Sequence, residues 1–360
     1  MALSLIDLES IIRVSGASWT PGANPISRLG ENEKRLRTSG LVPAPLPAPD
    51  NREEVARFQA QSATSGAIGY PAAIDWRNMP AGNFVTSVKD EGMCCACYVF
   101  AAAATVESAT RIARGNPNLP VDYSEAHLLF CYGRQAGASC SGGWWLVEAL
   151  NAFKNGVVDE DCLPYSTANQ TCTLCGDWQT RLTYITGWHE ITSASAMKEW
   201  IATRGPVASW MSVYGDFFSY MGGVYRRVNG THYGGLSVTI VGYNEAEKYW
   251  IAKNCWGTGW GEAGFFRIAY GECGIDAAMY AVEGVEETAW RRGVKIQGAW
   301  SIDQDRNVWV YVDQWGWRRL APGSDTTTLT MTAQLSAARA GQRTVNLLDD
   351  RGVITQLYVY

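Results

Sequence analysis

Apolar positions change their spacing once along the chain, just past its middle. Upstream, Ala96–Ala113 is Ala-rich and free of Gly and Pro. Ser124–Cys131 (SEAHLLFC) places a capping Ser before helically spaced apolar residues, and Trp144–Phe153 (WWLVEALNAF) follows the pair Gly142-Gly143. Each stretch predicts a helix. From about Tyr184 the period drops to two, or the apolar runs become continuous: VASWMSV, LSVTIVGYN, YWIAKNCW and GFFRIAYG, separated by Gly-rich turns. These read as strands. Helices first and strands later predict an α+β class with two lobes, one helical and one β-rich, and a cleft between them.

Three further stretches frame that domain. Residues 1–40 are amphipathic and charged, and LVPAPLPAPD (Leu41–Asp50) reads as an extended linker that cannot continue a helix. Ile74–Gly92 reads as loop and short extended pieces. After Glu283, NVWVYVDQWGWRRLA is strand-like, LTMTAQLSAARAG helix-like, and TVNLLDDRGVITQLYVY reads as a hairpin turning at Asp349–Gly352. The expected division is 1–71, 72–284 and 285–360, the last a small α+β module. Its Trp309, Trp315 and Trp317 are expected in that module's core, with sugar binding by their aromatic faces as the alternative.

Composition narrows the function classes. A net charge of −5 and the lack of a basic stripe argue against nucleic acid. No apolar run is long enough for a membrane span. The start, MALSLIDLESIIRV, carries acidic residues inside its apolar patch and reads poorly as a secretory leader, while ten cysteines fit an oxidising compartment. Localisation therefore stays open.

The chemistry concentrates in VKDEGMCCACYVFAAAATVE, with Cys94, Cys95 and Cys97 directly before the first helix. Three thiols in four residues fit a metal clamp, a redox pair, or a nucleophile beside a disulfide. A disulfide oxidoreductase falls away for want of a CxxC after a first strand. CTLC (Cys172–Cys175) has no second pair to complete a metal site, so a loop staple is the preferred reading.

In order along the chain come DWR, VKDEGMCCACYVFAAAATVES, SEAHLLFC, CSGGWW, GGVYRRVNG, VGYN, YWIAKNCWGTGWGEAGFFRI and CGID. This set resembles the papain-type cysteine peptidases, closest in flavour to cathepsin B-like members, over Ile74–Glu283. SWTPGANPISRLGENEKRL resembles the short pro-segment that in that family lies through the cleft. The resemblance implies a two-lobed papain-like fold with Cys97 as nucleophile at the N-terminus of the central helix. It also implies disulfides Cys94–Cys140 and Cys131–Cys172; Cys162 and Cys175 are close enough in sequence to form a third. Asn254 falls on the amide position that orients the catalytic imidazole, and Trp256 on its cover. Gly142, Gly143, Cys95, Ser237 and Cys255 fall on cleft positions.

The departures cluster around one point. The base position, seven residues before the Tyr of VGY, is Leu236, which cannot transfer a proton. The oxyanion-hole glutamine position is Glu91, whose carboxylate has the wrong sign for a developing oxyanion. Cys95 replaces a glycine, Tyr98 a tryptophan and Cys255 a serine. His127 and His189 read as structural or surface residues. His232 reads as a solvated loop histidine, and it is also the one histidine that is a candidate for a substitute base. The expected function is a proteolytically silent pseudo-peptidase that binds peptide, including its own N-terminal region. The alternative is rerouted Cys97 chemistry, either weak peptidase or acyl transfer with His232 or Glu91 as base, or a redox or metal-binding thiol cluster of Cys95, Cys97 and Cys255. An accidental Leu236 in an ordinary peptidase ranks last. No cofactor is expected beyond that soft-metal alternative.

Overall fold

The computed structural model describes residues 4–38, 70–167, 170–228, 230–302 and 304–359; the Pro-rich linker reading falls outside these. The helices are α1 (Leu5–Ser15), α2 (Glu31–Leu36), α3 (Cys97–Ala113), α4 (Leu146–Lys154), α5 (Ala194–Thr203) and α6 (Asp325–Ala340). Between α3 and α4, the Ser124–Cys131 stretch is helical as its pattern predicts, with Ser124 Oγ accepting from His127 N at 2.9 Å. It widens into a π-helix over His127–Tyr132, where His127 Nδ1 accepts from Val158 N at 3.1 Å.

The main strands are β1 (Arg181–Ile191), β2 (Val207–Tyr214), β3 (His232–Asn244), β4 (Tyr249–Lys253), β5 (Phe265–Ala269) and β6 (Met279–Val294). They are followed by β7 (Ile296–Ser301), β8 (Val308–Val312), β9 (Gly316–Leu320), β10 (Val345–Asp350) and β11 (Val353–Val359). One path runs β7-β8-β9-β11-β10-β6-β2-β3-β4-β5, with β1 pairing β6 off the path. The α+β class and the papain-like arrangement of helices against a β-rich lobe follow.

Helix α3 carries the junction. Its Val99, Ala102, Ala103 and Val106 are fully buried, and Thr105 Oγ1 bonds its own helix at Ala101 O (2.8 Å) while Thr239 Oγ1 of β3 reaches the same carbonyl at 3.1 Å. Small side chains let the strand approach this closely. Three disulfides, Cys94–Cys140, Cys131–Cys172 and Cys162–Cys175, staple the loops of the helical lobe. Closing loops of this size typically contributes about 2–4 kcal/mol each by restricting the unfolded chain.

Strand β6 passes through Glu283 unbroken, so the ladder of the β-rich lobe continues into the C-terminal module. That module has a core of its own, with Val310, Leu320, Leu335, Val345 and Ile354 beneath α6. Trp315 packs against this core and is covered by Arg291 and Arg114, at 3.7 and 4.8 Å from its ring. The expected three-Trp core is reduced to Trp315: Trp309 alternates with the core-facing Val310 and Val312 and is outside that core, and Trp317 lies on the opposite face of the sheet, 47% exposed, against Tyr311. Alternation along β9 decides this, because Leu320 faces α6 and residue 317 therefore points away.

The N-terminal segment is folded onto the β-rich lobe. Trp19 is 2% exposed, packs on Tyr220 and Tyr225, and donates from Nε1 to Arg226 O at 2.9 Å. Thr20–Pro21 pairs antiparallel with Tyr220–Gly222, and Asn24 Nδ2 donates to Phe218 O at 2.9 Å. At its end Thr38 O lies so close to Gly234 that a Cβ built there would sit 1.9 Å away, and Gly234 has φ +146°, so this approach needs glycine. Truncating a buried Trp costs about 3–5 kcal/mol. Trp19→Ala should therefore release the segment, seen as rapid proteolytic cutting within residues 4–38 while the rest stays resistant; unchanged resistance of the segment would contradict this anchoring.

Candidate active site

Cys97 is the first residue of α3 and is 1% exposed. Its Sγ receives the backbone N–H of Ser237 at 3.3 Å. Strand β3 thus runs directly past the thiol, and the residue before Ser237, Leu236, is fully buried. The pairing Thr239↔Lys253 between β3 and β4 delivers Asn254 to the same place, and Ser237, Val238, Asn254 and Cys255 line one small cavity. Asn254 Oδ1 accepts from Cys255 N at 2.8 Å, while its Nδ2 is buried with no partner among the described residues.

Glu91 lies at the base of the same region and is fully buried. Its backbone is fixed by Glu91 N donating to Cys255 O at 2.9 Å and by Tyr165 Oη donating to Glu91 O at 2.8 Å. Its carboxyl accepts two N–H groups, Ala96 N at 2.9 Å and Trp256 Nε1 at 3.0 Å. Trp256 is held flat against Phe218, with ring centres 5.5 Å apart. The donors that face the head of α3 are therefore directed at Glu91.

Electrostatics follow from dryness. Burial pushes the Cys97 thiol well above its ordinary range, and Glu91 and Cys95 add to this, while hydrogen bonds from Ser237 oppose it. A helix N-terminus favours a thiolate by roughly 0.3–1 kcal/mol, whereas full burial shifts a group by up to about 3–5 pKa units. Burial wins, so the thiol is protonated. Burial likewise lifts Glu91 to about 8, against the pull of Arg37 and its two hydrogen bonds. Cys255 is raised too, by burial first and then by Glu91 and Cys97.

The other predicted positions sort by distance from this point. Cys95 is buried and its N–H donates to Cys140 O at 2.9 Å, which ties the Cys94–Cys140 bridge to the cleft wall. Gly142 turns on Ser139, and Gly143 follows it half-buried. Cys95, Cys97, Cys255 and Cys273 are outside the disulfides. Among the described residues, the one group of three potential metal ligands drawn within 4.8 Å is Asp122, Glu125 and Glu160, not the cysteine trio. Lys89 Nζ already occupies that acidic cluster, 2.5 Å from Asp122 and 2.8 Å from Glu125.

None of the histidines is brought to Cys97. His127 is a buried core residue, and His189 pairs with Glu283 at 2.6 Å on an exposed edge. His232 is four residues from Leu236, roughly 13 Å along an extended strand. It packs on Tyr214, and its pKa is lowered by burial and by Arg227 and Arg35. One contributor escaped sequence reasoning: Arg37 reaches Asp90 from the N-terminal segment and stands in no motif that marks it.

The sequence of residues 70–285 matches the family model described as papain family cysteine protease. Ananain of Ananas comosus is 34% identical over 284 residues, which is 74% of this chain and 75% of ananain. Cathepsin B-like CP2 of Giardia intestinalis is 33% identical over 230 residues, 59% of this chain and 73% of its own. Among solved structures, a procathepsin B S9 from Trypanosoma congolense superposes with a TM-score of 0.62 at 23% identity, covering 78% of this chain and 98% of its own. A recombinant stem bromelain precursor gives 0.59 at 30% identity, covering 76% and 86%.

The raised Glu91 pKa fixes the sign of a pH effect. The folded state keeps the proton that the unfolded chain loses near 4.5, so stability falls as pH rises from about 4.5 to about 8. Glu125 and Glu272, lifted by burial to about 8 and about 7, titrate in the same window. The difference between wild type and Glu91→Gln isolates Glu91. Denaturant unfolding should show Glu91→Gln gaining on wild type by on the order of a few kcal/mol across that window; parallel pH profiles would contradict a buried neutral carboxyl.

Proposed function

The chain belongs to the papain family of cysteine proteases, and from that premise we propose that it is a proteolytically silent member whose cleft holds peptide without turning it over. The observation that carries this reading is Leu236, an apolar, fully buried residue next to the strand position that touches Cys97 Sγ. Acyl transfer by a thiol needs a group that takes the thiol proton and later protonates the leaving amine. Leu236 does neither, and among the described residues Cys97 has only Ser237 as a hydrogen-bonding partner.

Two further observations support it. The Asn254 amide oxygen, the atom that would accept an imidazole N–H, is taken by Cys255 N, and its buried amide nitrogen has no partner among the described residues, which typically costs about 1–3 kcal/mol. Glu91 occupies the oxyanion position as an acceptor and consumes the Ala96 N–H, so a developing negative charge would meet a carboxyl group. The N-terminal segment, docked through Trp19 and Asn24, supports a resident peptide-like lid. Cys97 keeps its place at the helix start as a buried thiol.

The competing reading lets Glu91, with its pKa near 8, accept the thiol proton. It is separable by experiment. General acid–base assistance is worth about 10²–10⁴-fold and an oxyanion donor about 10²–10³-fold, not strictly multiplicatively. After proteolytic removal of the N-terminal segment, wild type should show no measurable turnover of dipeptidyl reporter substrates. Leu236→His combined with Glu91→Gln should gain turnover that disappears on adding Cys97→Ala. Wild-type turnover that is lost in both Cys97→Ala and Glu91→Gln would overturn the silent reading in favour of Glu91.

A further inference from the structure

Arg37 lies one residue past α2, and its side chain leaves the N-terminal segment for the wall of the cleft. Nη1 donates to Asp90 Oδ1 at 2.5 Å, the residue is 6% exposed, and Nε is buried with no partner among the described residues. Asp90 is held rigidly to receive it. Its Oδ1 accepts from Gly92 N at 2.9 Å, its backbone bridges to Trp256, and Gly257 packs so closely that a Cβ there would lie 3.2 Å from Oδ2. Directly behind is Glu91, on which the Arg37 charge is the strongest influence opposing burial; the same charge reaches Cys255.

Arg37 caps α2 through its backbone N–H alone, so its side chain is not needed for the cap. Taking a guanidinium out of water costs several kcal/mol unless it is paired and hydrogen-bonded. What compensates here is the Asp90 carboxylate hydrogen-bonded to Nη1, with the buried Glu91 carboxyl close enough to feel the Arg37 charge. A guanidinium offers five donors in fixed geometry and suits a carboxylate held in one orientation, whereas an ammonium is a single strongly hydrated charge.

We propose that the Asp90–Glu91 turn is a guanidinium-binding subsite in the cleft wall, filled in cis by Arg37, and that peptides taken up in trans carry arginine at that position. Only the second half rests on the reading of the cleft as a peptide holder. Segment docking and arginine selection become the same interaction.

The test uses the full chain and agmatine, a small free guanidinium, with its diamine counterpart putrescine as control. By calorimetry, the Arg37→Ala chain should bind agmatine with millimolar affinity, at least tenfold tighter than wild type, whose subsite is filled. Arg37→Ala with Asp90→Asn should lose that binding, and putrescine should bind none of the three measurably. No binding of agmatine by Arg37→Ala, or equal binding after Asp90→Asn, would overturn the subsite. Should Arg37→Ala fail to fold, Arg37→Lys keeps the charge without the fork. Amide exchange over residues 31–38 should then be at least tenfold faster than in wild type, and unchanged exchange would remove the requirement for a guanidinium. Neither readout involves turnover, so an active peptidase would leave this result untouched while overturning the silent reading.

Discussion

The base of the cleft depends on two acids, the Cys97 thiol and the Glu91 carboxyl, being kept neutral side by side in a dry interior. Neither has a full counter-charge in contact. Ser237 gives the thiol a weak N–H donor, and Ala96 and Trp256 give Glu91 two better ones. In water the carboxyl would ionise well below neutrality and the thiol above it; here desolvation lifts both, outweighing the helix dipole and the hydrogen bonds together. An imidazolium beside the thiol would reverse this balance, because an opposite charge within a few ångströms favours the ionised form. Leucine at 236 removes that possibility and makes the pocket drier.

The rest of the fold serves to hold this point still. Helix α3 is built of small residues so that β3 can lie against it, the Cys94–Cys140 bridge fixes the wall through Cys95 N and Cys140 O, and the aromatic stack of Phe218 on Trp256 fixes the donor to Glu91. The N-terminal segment is docked on this scaffold, with Trp19 at one end and Arg37 at the other.

Much of this was legible from residue order. Ala-rich spacing without Gly or Pro predicted α3 to within a residue, period-two runs predicted the strands of the β-rich lobe, and the cysteine positions that resemblance paired are the ones bonded. What escaped has a physical reason in each case. Helix α5 is short, and its Met197 and Ile201 are its few buried apolar positions between two strands, too few for periodicity to stand out. Trp317 faces outward because the parity of β9 is set by Leu320, a fact of register rather than of composition. The Arg37–Asp90 contact joins residues 53 apart through docking of the whole segment, which local pattern does not carry. His232 stood four residues from Leu236 in sequence, yet an extended strand turns that separation into distance rather than proximity.

The central claim is that Cys97 has no ion-pair partner, and the pH dependence of its alkylation tests this most directly. Iodoacetamide labelling of the full chain, read at Cys97 by peptide mass analysis between pH 4 and 10, separates the two states of the thiol. A buried thiol without a base should label negligibly at acidic and neutral pH and begin to react only above the ordinary thiol range. A plateau of rapid labelling extending from pH 5 through 8, the signature of a thiolate held by a neighbouring cation, would contradict the account.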